Sequence, residues 1–90
     1  MEGYVRKQPL DMLTVGGESL LLLPPDQVLR LSEIATTLFE LSSSWRSLDD
    51  LAASVESTFG PSPDGNTTDA LRRILDGLVE AGAMERVNGG

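Results

Sequence analysis

Four places in this chain carry residue types that could do chemistry: the acids Asp49-Asp50, the glycine pair Gly16-Gly17, the arginines Arg72-Arg73 and the single Trp45. Paired carboxylates share a proton or hold a metal ion only where both face one site. Asp49 and Asp50 stand in Ser47-Leu48-Asp49-Asp50, which resembles a capping box opening a helix. There, acids offset the helix dipole, and adjacent residues diverge rather than converge. Gly16-Gly17 has no following helix and no nearby lysine, so it is not a phosphate loop. Arginine's planar fork suits a carboxylate. On a helix through this region Arg73 points away from the apolar stripe, while Arg72 flanks its Leu75/Val79 edge and is the better placed to meet a ligand. Trp45 lies in a serine-rich connection and reads as packing over the junction of two helices, with a partner contact as the alternative.

Composition removes most catalytic classes. The chain has 90 residues, no cysteine and no histidine, so disulfides, thiolate nucleophiles, imidazole bases and Cys/His zinc sites are excluded. No catalytic residues, metal or cofactor are expected. Fourteen acidic residues against seven basic ones give a formal net charge of −7 at pH 7. The acids are spread from Glu2 to Glu85, which makes a solvated surface and disfavours both nucleic-acid phosphates and anionic membranes. The longest apolar run, Leu20–Leu23, is far short of a membrane span, and the first thirty residues lack a signal architecture. A soluble, uncleaved cytoplasmic protein is expected.

The elements that must position these residues follow from pattern. Residues 1–9 are polar, mixed in charge and end in proline, which predicts an extended lead-in. Leu10 to Val15 and Ser19 to Leu23 flank Gly16-Gly17 and read as a hairpin. Four consecutive leucines hide any alternation and suggest a central strand covered at least partly on both faces. Pro24-Pro25-Asp26 is a turn, and Val28 to Leu31 is a third, short strand at a sheet edge. Ser32 caps a helix with Ile34, Ala35, Leu38 and Leu41 on one face, flanked by Phe39. Ser47 opens a second helix with Leu48, Leu51, Ala52, Val55 and Phe59 as its stripe. The run Gly60-Pro61-Ser62-Pro63-Asp64-Gly65 breaks it. Asn66 or Thr67 caps a third helix carrying Ala70, Leu71, Ile74, Leu75, Leu78 and Val79, which ends near Ala81-Gly82. Met84 to Val87 forms a last strand or trails away.

Several stretches carry a family resemblance. They are Leu20–Leu23, the junction Val28-Leu29-Arg30-Leu31-Ser32-Glu33-Ile34-Ala35, the helix start Ser47-Leu48-Asp49-Asp50-Leu51 and the ending Leu75-Asp76-Gly77-Leu78-Val79-Glu80-Ala81-Gly82. In this order and at this separation, they resemble the PqqD-like family of RiPP recognition elements. The chain is most similar to the discrete leader-binding proteins of lasso peptide biosynthesis. The resemblance implies an α+β, winged helix-turn-helix-like fold, a three-stranded antiparallel sheet followed by three helices, over residues 10–87, with a tail at 88–90. It implies that the leader of a ribosomally made precursor adds as a strand beside Val28, Leu29, Arg30 and Leu31 and lies against Leu71, Arg72 and Leu75. The implied partners are that leader, a transglutaminase-like cysteine protease acting as leader peptidase, and an ATP-dependent cyclase.

A strand meander with three helices also fits a winged-helix DNA-binding regulator, whose third helix would enter the major groove. Arg72 and Arg73 stand there among Asp69, Asp76 and Glu80, where a basic footprint would be needed.

Overall fold

The computed structural model describes residues 1–63 and 65–89. Asp64 in the expected loop and Gly90 in the expected tail lie outside the described residues. In chain order the first elements are β1 (Glu2–Arg6), β2 (Asp11–Val15), β3 (Glu18–Leu23), β4 (Gln27–Leu31) and α1 (Glu33–Leu41). They are followed by β5 (Arg46–Ser47), α2 (Leu48–Phe59), α3 (Thr67–Glu80) and β6 (Met84–Asn88). The fold is α+β, with two three-stranded antiparallel sheets in the orders β5-β1-β6 and β2-β3-β4.

The N-terminal segment corrects one expectation. Residues 2–6 are the middle strand of a sheet rather than an extended lead-in, and the trailing residues 84–88 are its long outer strand. Tyr4 has no exposed surface, and Gly3 is buried beside it. Backbone bonds then tie the strand's end into the helical layer: Arg6 N–H donates to Ser42 O at 2.8 Å and Lys7 N–H to Ala83 O at 2.9 Å. The Arg6 guanidinium lies over the Phe39 ring, 5.2 Å from its centroid, a cation–π contact between β1 and α1.

The β2-β3-β4 meander follows the sequence closely. Gly16 and Gly17 take φ of 63° and 88°, the left-handed region that a tight hairpin turn needs and that glycine enters without strain. The turn sets Leu13 opposite Leu20 and Val15 opposite Glu18. The leucine run then alternates: Leu21 and Leu23 are buried, while Leu20 and Leu22 are exposed. β3 is central, as its leucines suggest, but only one of its faces is covered. The covering element is α1, whose Ala35, Leu38 and Phe39 pack in the core with Leu21, Leu23 and Leu31. A buried hydrogen bond, Ser19 Oγ to Thr36 Oγ1 at 2.8 Å, pins β3 to α1.

Local chemistry starts the helices. Ser32 Oγ accepts from Ala35 N–H at 3.2 Å at the head of α1, and Ser47 Oγ from Asp50 N–H at 3.1 Å at the head of α2. Each side-chain oxygen satisfies a backbone donor that the first helical turn leaves unpaired. Asn66 holds the cap position of α3 without a side-chain cap bond to the backbone; its amide donates instead to Asp69 Oδ2 at 2.7 Å. α3 packs mainly on α2 and β6, whereas β4 packs on β3 and α1. No helix among the described residues is long and apolar enough to cross a membrane.

Candidate functional site

β4 ends the meander sheet, so one of its edges has no strand beside it among the described residues. Such an edge offers unpaired backbone donors and acceptors to an incoming chain. Strand parity divides its side chains. Leu31 is buried and Leu29 half-buried, both on the face that meets the core, while Val28 and Arg30 project outward. Val28 is 64% exposed, and the Arg30 side chain 79%, with its guanidinium donating to Glu18 Oε1 at 3.2 Å.

The outward face of this sheet is apolar over most of its area. Pairing sets Leu13, Leu20 and Arg30 side by side across the three strands, with Asp11, Leu22 and Val28 in the next row. Val15, 70% exposed, and Glu18 close the upper end. A shallow depression lined by Leu13, Val15, Glu18, Leu20 and Arg30 lies at that end. The sequence singled out Val28 and Arg30 but missed Leu13, Val15, Leu20 and Leu22 as members of the same surface. The signal was present: a two-residue turn at Gly16-Gly17 fixes the register, and the register puts Leu20 and Leu22 on the same face as Asp11, Glu18 and Arg30, whose charges mark it as the outward one.

The helix residues expected to complete a cleft with β4 lie elsewhere. Leu71 is 2% exposed and Leu75 0%; they form the buried seam of α3 and reach no surface. Their i, i+4 spacing is that of a core stripe, which the sequence could not tell from a ligand-facing one. Arg72 lies in a polar hollow with Met1, Glu2, Ser47, Leu48, Asp49 and Thr68, and no residue of β4 lines it. The seven residues named from the sequence are therefore split: Val28–Leu31 share one edge strand, and Leu71, Arg72 and Leu75 belong to α3, which packs mainly on α2 and β6.

The two carboxylates that meet the Arg72 fork belong to the chain itself. Arg72 Nη2 donates to Glu2 Oε1 at 3.2 Å and Nη1 to Asp69 Oδ1 at 3.1 Å. The Tyr4 hydroxyl stands 3.2 Å from both Glu2 Oε2 and Asp76 Oδ1, so its single proton serves one carboxylate at a time. Arg86 closes the chain of contacts on Asp76 Oδ1 at 3.3 Å. The hydrogen bond from Arg72 holds the Glu2 carboxyl below its ordinary value, and the same pairing raises Arg72. Burial, reinforced by the neighbouring Asp76 and Glu2 charges, pushes Tyr4 up to about 12. This network joins β1, α3 and β6, and nothing in the linear sequence marks Glu2 and Tyr4 as its members.

Asp50 and Trp45 have hydrogen-bond partners within the chain. Asp50 N–H is the capped donor of α2, and its carboxylate accepts from Arg46 at 3.3 Å. The Trp45 indole lies against β1 at Gly3, with Gly89 alongside, and Nε1 donates to Val87 O at 2.8 Å. Arg73 is exposed, as its position on the helix predicts. Among the described residues no group of three His, Cys, Asp or Glu side chains is placed to hold a metal ion. No family model, curated protein or solved structure matches this chain.

Proposed function

We propose that the chain binds an extended peptide as an added strand on β4. The peptide would be the leader segment of a ribosomally synthesised precursor, and the chain would present that precursor to a separate leader peptidase and cyclase, as in lasso peptide biosynthesis. One observation carries the proposal: β4 is a short edge strand with Val28 and Arg30 exposed on it, and it runs through Ser32 directly into α1. Backbone pairing along such an edge gives affinity with little demand on sequence, and the flanking side chains select among peptides. A peptide held in this way stays extended beyond the domain, so its far end reaches an enzyme. The domain then supplies effective concentration rather than bond chemistry.

On this proposal the meander and the helices act as a winged helix-turn-helix-like platform used for peptide rather than DNA. Arg72 is committed to Glu2 and Asp69, and the formal charge of −7 opposes approach to a phosphate backbone. Leu71 and Leu75 support the platform from within, and the contact set is Val28–Leu31. The proposal is tested with synthetic leader and core halves of a short precursor encoded beside the gene, each titrated against the pure protein. The leader half binds and neither half is cleaved. Binding of the core half alone, or cleavage without a second protein, refutes the proposal.

A further inference from the structure

Resting on that strand-addition reading, we infer that the bound segment carries an acidic residue, one intervening residue and then an aliphatic residue, in that order from N to C terminus. The inference begins with Val28 and Arg30. They stand two residues apart on the edge strand, so they share a face, and both are largely exposed on it. Each already has a neighbour on the inner side, Leu22 for Val28 and Leu20 for Arg30. On the outer side each is open to the side chain of an added strand.

Direction follows from the sheet. Both existing pairings, β2 with β3 and β3 with β4, are antiparallel, and an antiparallel fourth strand continues the same ladder. In that geometry the residue facing Arg30 comes two positions before the residue facing Val28. The row Leu22–Val28 is aliphatic at its open end, so an aliphatic side chain there extends an apolar row and shields it from water. The row Leu13–Leu20–Arg30 ends in a cation. Arg30 gives one hydrogen bond to Glu18, and a guanidinium has five donors. An acidic side chain arriving from the open edge takes others without displacing Glu18. The intervening residue points to the opposite face, beside half-buried Leu29.

The charge of the whole molecule sharpens the point. At −7 the surface repels acidic peptides at long range. Arg30 is the one cation among the outward residues of β3 and β4, and its pair with Glu18 leaves further guanidinium donors for an arriving acid. Selection for an acid is thus a local matter of one strand position, and reversing that position reverses the selection.

The test is a selection of random displayed peptides on the wild-type protein and on Arg30→Glu, followed by titration of the enriched peptides. Arg30 is an exposed side chain, and circular dichroism verifies that the variant remains folded. Wild type enriches acid-x-aliphatic peptides whose binding shifts the amide signals of Val28–Leu31. Arg30→Glu enriches Lys or Arg at the first position, and an acidic peptide binds it about threefold to tenfold more weakly than it binds wild type. A second variant, Val28→Lys, moves the preference at the third position from aliphatic to acidic. Peptides that shift the β4 amides with no preference for an acid, or a preference unchanged in Arg30→Glu, overturn the proposed motif while strand addition stands. If no selected peptide shifts the β4 amides, both the motif and strand addition fall.

Discussion

Tyr4 shows how much a single residue can depend on partners that the sequence does not announce. It is the only tyrosine, fully buried, with its hydroxyl between Glu2 and Asp76. Its hydroxyl ionises near 12 in the folded chain against an ordinary value of 10.0. The unfolded chain therefore sheds this proton first. Stability owed to Tyr4 is complete below about pH 10 and is lost as pH rises from 10 towards 12. Tyrosinate absorbance should titrate near 12 in the native protein and near 10 in urea; a native midpoint near 10 would show that the hydroxyl is not buried beside the two carboxylates. Gly3 makes a second point. A Cβ there would fall within the Trp45 indole, so Gly3→Ala should expel the ring, break its bond to Val87 O and cost about 1–3 kcal/mol. A red shift in the emission of the only tryptophan, together with a lower urea midpoint, checks this. Neither effect was legible beforehand, because a glycine in a polar segment and a tryptophan among serines acquire meaning only from the sheet that brings them together.

At the level of elements, what was legible was local. The hairpin, the Pro24-Pro25-Asp26 turn and both serine caps are written in residue types that act on their immediate neighbours, and the structure has them where the sequence puts them. Ser32→Ala and Ser47→Ala should each lower stability by about 1 kcal/mol, within a range of about 0.5–2 kcal/mol. They lie in different helices, so the double variant should lose roughly the sum. Urea unfolding of the three variants measures it. What was illegible was non-local. β1 has one aromatic residue, one glycine and flanking charges, and it is a strand because β6, eighty residues later, supplies its ladder. The outward leucines of β3 stand between the two cases: composition does not separate them from the inward ones, but the hairpin register does once the charged residues of the same face are counted. Arg72 ties these levels together: it anchors β1 to α3 through Glu2. Arg72→Glu should speed hydrogen exchange at the amides of β1 while leaving peptide binding at β4 unchanged. An equal loss of peptide binding would place Arg72 in the contact set after all.

For the whole molecule, the two sheets divide the labour. The β5-β1-β6 sheet carries the Trp45, Tyr4 and Arg72–Glu2 contacts, which tie β1 to its neighbours. The β2-β3-β4 sheet is covered by α1 on one face and left with an apolar outer face and an open edge. Contiguous exposed apolar surface of this kind is often a contact surface for another chain. Its position beside β4 is why the functional proposal rests on that strand rather than on α3. The most direct test is a titration of isotopically labelled protein with the leader half of the precursor, followed through backbone amide chemical shifts. Saturable shifts should concentrate along Val28–Leu31 and its β3 neighbours Leu20 and Leu22, with the amides of β1 and β6 unmoved. Shifts clustered around Trp45 and Phe59 with none along Val28–Leu31, or no shifts at saturating peptide, would contradict strand addition at β4.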